Sequence, residues 1–321
     1  MTVGGTGPDG GRAGRPGWQA DRQVREAGGA EWSVQSVWAV LFALLGAASN
    51  ATATVLQRKA AGTVPLSAGF RLRLIVELLH RPVWLAGFGA IVLAACFQAL
   101  ALSEGALSLV QPLFVLELPM AMLIAGFVLG RRLTRDSWLA VLAVVGGLGV
   151  ALAAADPQGG ITHPPGGRWA VATGCCVGAV ALLVVVARRH PPGRLRAASL
   201  AAGAAIGNAL TAALMKAATH AWQSEGIAGF FGAWQTYGFA LAGAGAVFLL
   251  ENAMQSGPLV ASQPALTLTD ALVSLALGVT LYEETVRTGW WLLPEIAGAL
   301  AILAGALVLA RTPLARLLAE G

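Results

Sequence analysis

The sequence predicts an all-α membrane protein of about nine transmembrane helices, set in two inverted four-helix repeats joined by a central helix. Three observations predict it. The first is composition: 56% of the 321 residues are hydrophobic and 12% are charged, where a soluble domain carries about 25% charged residues. The second is a set of nine apolar runs, at 34–56, 82–103, 106–129, 137–155, 169–187, 197–219, 236–254, 258–281 and 290–310. Each is close to the ~20 residues needed to cross ~30 Å of hydrocarbon. The third is a repeat: residues 105–152 align with 257–304 at one offset of 152, without a gap. Gln111-Pro112 then falls on Gln263-Pro264, Gly126 on Gly278, Trp138 on Trp290 and Gly146 on Gly298.

Each run is read as a helix, because backbone facing lipid must satisfy its hydrogen bonds within its own segment. Residues 1–33 are rich in Gly and Pro and have neither an apolar core nor the hydrophobic stretch of a signal peptide. They are expected to be a disordered tail. Residues 34–155 form the first repeat. Within it, 65–81 place Leu74 and Leu78 one turn apart and Arg73 and Glu77 as an i,i+4 pair, which suits a helix lying in the interface, with a tenth span as the alternative. Residues 156–190 are the linking helix, 191–311 the second repeat and 312–321 a short tail. Trp222, Phe230, Phe231 and Trp234 read as interfacial anchors. Gly174 with Gly178, and Gly203 with Gly207, have the spacing that lets helices approach closely.

Charge sets the topology. Nine spans put the termini on opposite faces. Seven cationic residues fall on the face that holds the N-terminal tail and the loops after even spans, and fourteen on the other. The positive-inside rule puts the second face in the cytoplasm, so the N-terminus is expected outside and the C-terminus inside the cell membrane. Four spans plus one is odd, so the second copy enters upside down. Arg131-Arg132 aligning with Glu283-Glu284 agrees, because equivalent turns then lie on opposite faces. Asn50 aligns with Asn208, and Arg58 with Lys216, eight residues later in both copies. The cations read as snorkelling helix ends or as ligands, and the asparagines as interhelical hydrogen-bond partners or as site residues. The basic balance is explained by loop arginines rather than by a nucleic-acid partner.

The candidate chemistry lies in two carboxylates. Glu117 sits near the middle of the third run and Asp270 near the middle of the eighth, one residue out of register between the copies. An ionised acid at midplane costs roughly 3 kcal/mol even on the lenient insertion scale, so each must meet a cavity, a partner or a substrate, or be neutral. Gln263, Thr267, Asp270 and Ser274 follow i, i+4, i+7, i+11 spacing and make one polar stripe. Gln111 and Glu117 are six apart and fall on different faces of an ideal helix, unless Pro112 and Pro119 distort it. Pro112 and Pro264 read either as helix starts or as local breaks. Glu251 and Asn252, with Gln98, form a second polar layer that either binds substrate or reaches water. Cys96, Cys175 and Cys176 lie inside spans, with neither zinc spacing nor a disulfide framework. His80, His163, His190 and His220 show no metal spacing, no phosphate loop or nucleophile elbow occurs, and no cofactor is implied.

In these residues the chain resembles the drug/metabolite transporter (EamA-like) superfamily, and more closely its NIPA-like branch of actinobacterial type. The resemblance spans about residues 34–311. It rests on VWLAGFGAIVLAACFQALALSEGALSLVQP, GRRLTRDSW, VVVARRHPPG and ENAMQSGPLVASQP. It implies inverted repeats around a central cavity and gradient-driven transport, and carries no site residue onto the two acids. The expected function is secondary transport of a small metabolite or drug, outward and by proton exchange, rather than an enzymatic reaction. A magnesium or divalent-cation transporter is the alternative, and a scaffold without transport the second. The candidate substrate or coupling-ion residues are Glu117, Asp270, Gln111, Gln263, Thr267, Ser274, Asn50, Asn208, Glu251 and Gln98. The partners implied are a small-molecule or cation substrate, the lipid bilayer and, as an open option, a second copy in a homodimer.

Overall fold

The computed structural model describes residues 34–61, 82–128, 130 and 133–312. The expected tail, the interfacial segment 65–81, the Arg131-Arg132 pair and residues 313–321 lie outside the described residues. Among the described residues ten α-helices follow in order: α1 (Val34–Ala61), α2 (Pro82–Glu104), α3 (Leu107–Leu113), α4 (Glu117–Val128), α5 (Arg135–Ala155), α6 (Gly166–Arg189), α7 (Arg194–Gly232), α8 (Trp234–Ser256), α9 (Leu259–Leu281) and α10 (Leu292–Arg311). A 3-10 turn, Phe114–Leu116, joins α3 to α4 into one bent span, and another, Gly289–Trp291, leads into α10. Among the described residues, nine helical segments are long and apolar enough to cross a membrane, and they match the nine runs. The chain is built as a multi-pass membrane protein.

Local chemistry explains several ends. Thr134 caps α5, its hydroxyl accepting from the Ser137 N–H at 3.3 Å; this satisfies one of the orphan donors of a helix start. Asp156 ends α5 in the left-handed region. The predicted span 197–219 continues as α7 to Gly232 through a kink at Gly226, where φ is +66°. Glycine reaches that conformation without the clash a Cβ would cause. Pro112 and Pro264 are not helix starts: both sit inside helices, past the first turn. In the first copy Pro119 also follows, and its ring pushes on the carbonyl four residues back, at Val115. The helix tightens there into the 3-10 turn.

The hairpins α1–α2 and α7–α8 pack within each copy, while α5 packs on α10 between copies. That last contact is backbone on backbone. A Cβ on Gly147 would lie 2.7 Å from the Gly298 carbonyl oxygen, and one on Gly305 would lie 2.7 Å from that of Ala140. Position numbers rise along α5 as they fall along α10, so these two helices run antiparallel. The aligned tryptophans do no core packing: Trp138 and Trp290 are exposed, as anchors in a bilayer surface would be.

The turns after the second, fourth and eighth spans meet the end of the sixth on one face. The 156–161 segment bridges to the 282–287 turn through Gln158 and Thr285, with the Arg287 N–H donating to the Ala155 carbonyl at 2.8 Å. Arg287 pairs with Asp156 at 2.6 Å and Arg168 pairs with Glu283. The turns after the fifth and seventh spans meet at Gly193 and Gly257, where a Cβ on Gly257 would lie 2.6 Å from the Gly193 oxygen.

Candidate functional site

Glu117 and Asp270, the two acids near mid-span, each have an asparagine. Asn50 on α1 donates its amide N–H to Glu117 Oε2 at 2.7 Å, and Asn208 on α7 donates to Asp270 Oδ1 at 3.1 Å. Thr54, one turn along α1 from Asn50, also interacts with the Glu117 carboxylate. The asparagines align between the copies and the acids align to within one residue, so one arrangement occurs twice. The 3-10 turn explains the odd residue. Its three residues turn about 120° and rise about 2.0 Å each, against about 100° and 1.5 Å in an α-helix. The turn therefore carries Glu117 about 60° further round and about 1.5 Å further along, close to where the next residue of a regular helix would stand.

The rest of the predicted set divides. On α9, Gln263, Thr267 and Asp270 are half-buried, and Ser274 is fully buried. The stripe thus faces α7 at Asp270 and α3 at its far end. Gln111 on α3 is 1% exposed and Ser274 is 0% exposed. Among the described residues, the Gln111 amide and the Ser274 hydroxyl find no hydrogen-bond partner. Because α3 starts beside the end of α9 and packs back along it, with a Cβ on Gly278 lying 3.3 Å from Ser108 Cβ, Gln111 and Ser274 sit one turn further in on facing helices. Buried polar groups left unpaired cost about 1–3 kcal/mol each, so this pair is a place where a water or a ligand atom would be gained. Glu251 is exposed on α8, and Asn252 donates to the Phe248 carbonyl of its own helix at 2.7 Å. Gln98 on α2 is half-buried. The structure does not bring these three to either amide–acid pair.

Two cavities lie elsewhere. One of about 380 Å³ is lined by Gly166, Trp169, Thr173 and Trp234, among others. The other, of about 360 Å³, is lined by His163, Trp169, Ala217, Ser224, Glu225 and Gln235, among others. Neither is lined by Glu117 or Asp270. Among the described residues, no group of three or more His, Cys, Asp or Glu gathers to hold a metal.

A third polar centre was not expected from the sequence as a site. Lys216, read there as a snorkelling helix end or a ligand, is 5% exposed and pairs with Glu284, itself 2% exposed, at 2.8 Å. Glu284 also accepts from the Leu107 N–H at 2.6 Å, the Ser108 N–H at 2.8 Å and the Ser108 hydroxyl at 2.6 Å. Lys216 donates as well to the Gly105 carbonyl at 3.0 Å, and its ammonium lies 4.8 Å from the centre of the Tyr282 ring. The Tyr282 hydroxyl donates to the Ala213 carbonyl at 2.6 Å. The aligned glycine Gly278 has a local reason here: a side chain on it would run into the Glu284 carboxylate.

The fold and these polar centres define a multi-pass helical membrane protein with amide-bound acids inside its spans. The chain belongs to the same family as an uncharacterized protein of Corynebacterium glutamicum, to which it is 31% identical over 281 residues, 85% of this chain and 95% of that one. No family model matches the chain, and no solved structure matches it.

Proposed function

We propose that the chain is a gradient-driven secondary transporter that exports a small metabolite or drug across the cell membrane, of the drug/metabolite transporter kind its sequence resembles. The observation that carries this reading is the repeated pair: Asn50 on Glu117 and Asn208 on Asp270. Acids within spans are expensive and mark substrate or proton paths. Two of them in equivalent places, each held by a neutral amide, suit groups that bind and release a proton or a cationic substrate in turn. The antiparallel contact of α5 with α10 supports an inverted arrangement of the two copies, the architecture in which sites lie at the repeat interface. The charge asymmetry of the loops supports an outer position for the face that carries Glu284, with the N-terminus outside and the C-terminus in the cytoplasm.

Proteoliposome flux tests the reading, with solutes first chosen by thermal shift on the purified protein. Glu117→Gln with Asp270→Asn abolishes solute flux and its dependence on an imposed pH gradient. Unchanged flux in that double variant contradicts the proposal. Uptake of Mg²⁺ that the same variant abolishes, with no flux of any organic solute, replaces it by the divalent-cation reading.

A further inference from the structure

We infer that Lys216 and Glu284 form a gate, a breakable ion-pair latch that closes the path past the polar stripe of α9 on one face; this rests on the transport reading above. The pair ties three separate segments at one point. Lys216 comes from α7, Glu284 from the turn after α9, and Gly105 with Leu107 and Ser108 from the turn between α2 and α3 and the start of α3. Helices α3 and α9 are thus held together at their ends nearest this face. On the outward side, the cavity of about 360 Å³ opens beside the latch, lined by neighbours of Lys216 and Tyr282 rather than by the pair itself. Ala217, next to Lys216, lines it, as does Trp169, which stands edge-on to Tyr282 beneath the Lys216 ammonium. On the inward side, one turn below, lie the unpaired Gln111 and Ser274 side chains, sealed from solvent. An open recess, a polar plug and a buried polar pair therefore follow one another.

The charges fit a plug that opens better than a permanent rivet. A buried ion pair stabilises a fold little compared with apolar residues of similar size, whereas removing one partner leaves a charge that gains by reaching water. Opening hydrates both partners at once. The latch also belongs to one copy only. The positions equivalent to Lys216 and Glu284 in the first copy are Arg58 and Arg132, and an arginine has no acceptor with which to bind helix N–H groups.

The test reads accessibility and needs no substrate, so it stands or fails separately from the flux experiment. Ser274→Cys is the reporter, in a chain with Cys96, Cys175 and Cys176 replaced by Ser. A membrane-impermeant thiol reagent is applied to intact cells and to inside-out vesicles. With the latch intact, labelling is slow from both sides. In Lys216→Met, and separately in Glu284→Gln, labelling rises at least about tenfold from the face that carries the 282–288 turn, because the lone charge draws that end open. Lys216→Met combined with Glu284→Gln returns it toward the parent rate, and Lys216→Arg keeps it there. If either single variant does not purify folded, Glu284→Asp carries the test: it keeps the charge, but its shorter arm cannot hold Lys216 and α3 together, so labelling rises in the same direction. Rates unchanged in the folded variants, or rising equally from both faces, overturn the gate.

Discussion

Asn50 holds Glu117 at 2.7 Å, and the same amide–acid contact recurs in the second copy although the acids are one residue out of register. The contact is made across 67 positions of sequence, so it binds α1 to the bent third span. Interhelical hydrogen bonds within membranes are worth about 0.6 kcal/mol on average and up to about 1.7 kcal/mol. Asn50→Ala is expected to lower the stability of the purified protein within that range, and Asn208→Ala, at the more exposed pair, to lower it less. Unfolding in detergent, followed by size-exclusion peak height against temperature, measures both. The transport reading further expects both variants to reduce flux more than their stability loss explains.

The contact between α5 and α10 depends on single glycines. Gly147→Ala puts a Cβ 2.7 Å from the Gly298 oxygen, so the helices must separate; overpacking of this kind costs about 1–3 kcal/mol. Gly146→Ala meets nothing within 4 Å and is expected to be neutral. The same melting assay distinguishes the neighbours, and equal effects would contradict the described register.

Among the described residues three ion pairs lie on one face, and of these the Lys216–Glu284 pair is the buried one. Asp156→Asn, which breaks the part-exposed contact with Arg287, is expected to cost no more than about 1 kcal/mol. Lys216→Met leaves Glu284 unpaired inside the protein and is expected to cost about 3–5 kcal/mol. Pairing it with Glu284→Gln should recover most of the loss, because no uncompensated charge remains. A double-mutant cycle by thermal unfolding checks the sign and the recovery.

Tyr282→Phe removes one buried hydroxyl bond to the Ala213 carbonyl while keeping the ring beneath Lys216 and beside Trp169. The expected loss is about 0.5–1.5 kcal/mol. A larger loss would mean that the ring, and the latch above it, had moved.

Particular residues show what was legible in the sequence. The spans were, because hydrocarbon thickness imposes a length and loop charges mark the ends. Glu117 and Asp270 were, because charge in an apolar run is conspicuous, and Asn50 and Asn208 were matched between the copies. That each asparagine serves its own acid was not, since spacing along one helix says nothing of which neighbour it faces. The distortion of the third span was raised by Pro112 and Pro119, but a 3-10 turn that compensates a one-residue slip depends on backbone geometry. Lys216 reads from the sequence as a snorkelling helix end or a ligand, and Glu284 as half of a charged turn, so their pairing across 68 positions is not legible. Two signals were present: the acid pair standing where the first copy has arginines, and Gly278, six residues before Glu284, where the carboxylate folds back. The alignment named Gly146, while packing uses Gly147, because the contact register belongs to the helix pair and not to the repeat.

The transport reading requires that water reach a polar path running past the two acids inside the membrane. Thr267, half-buried one turn before Asp270 on α9, is the position from which to test it. In a background lacking the native cysteines, Thr267→Cys is predicted to react with a small water-soluble thiol reagent, and to be protected by a solute that raises the melting temperature. Reaction only with a lipid-soluble maleimide, and none with the water-soluble reagent from either side, would contradict it.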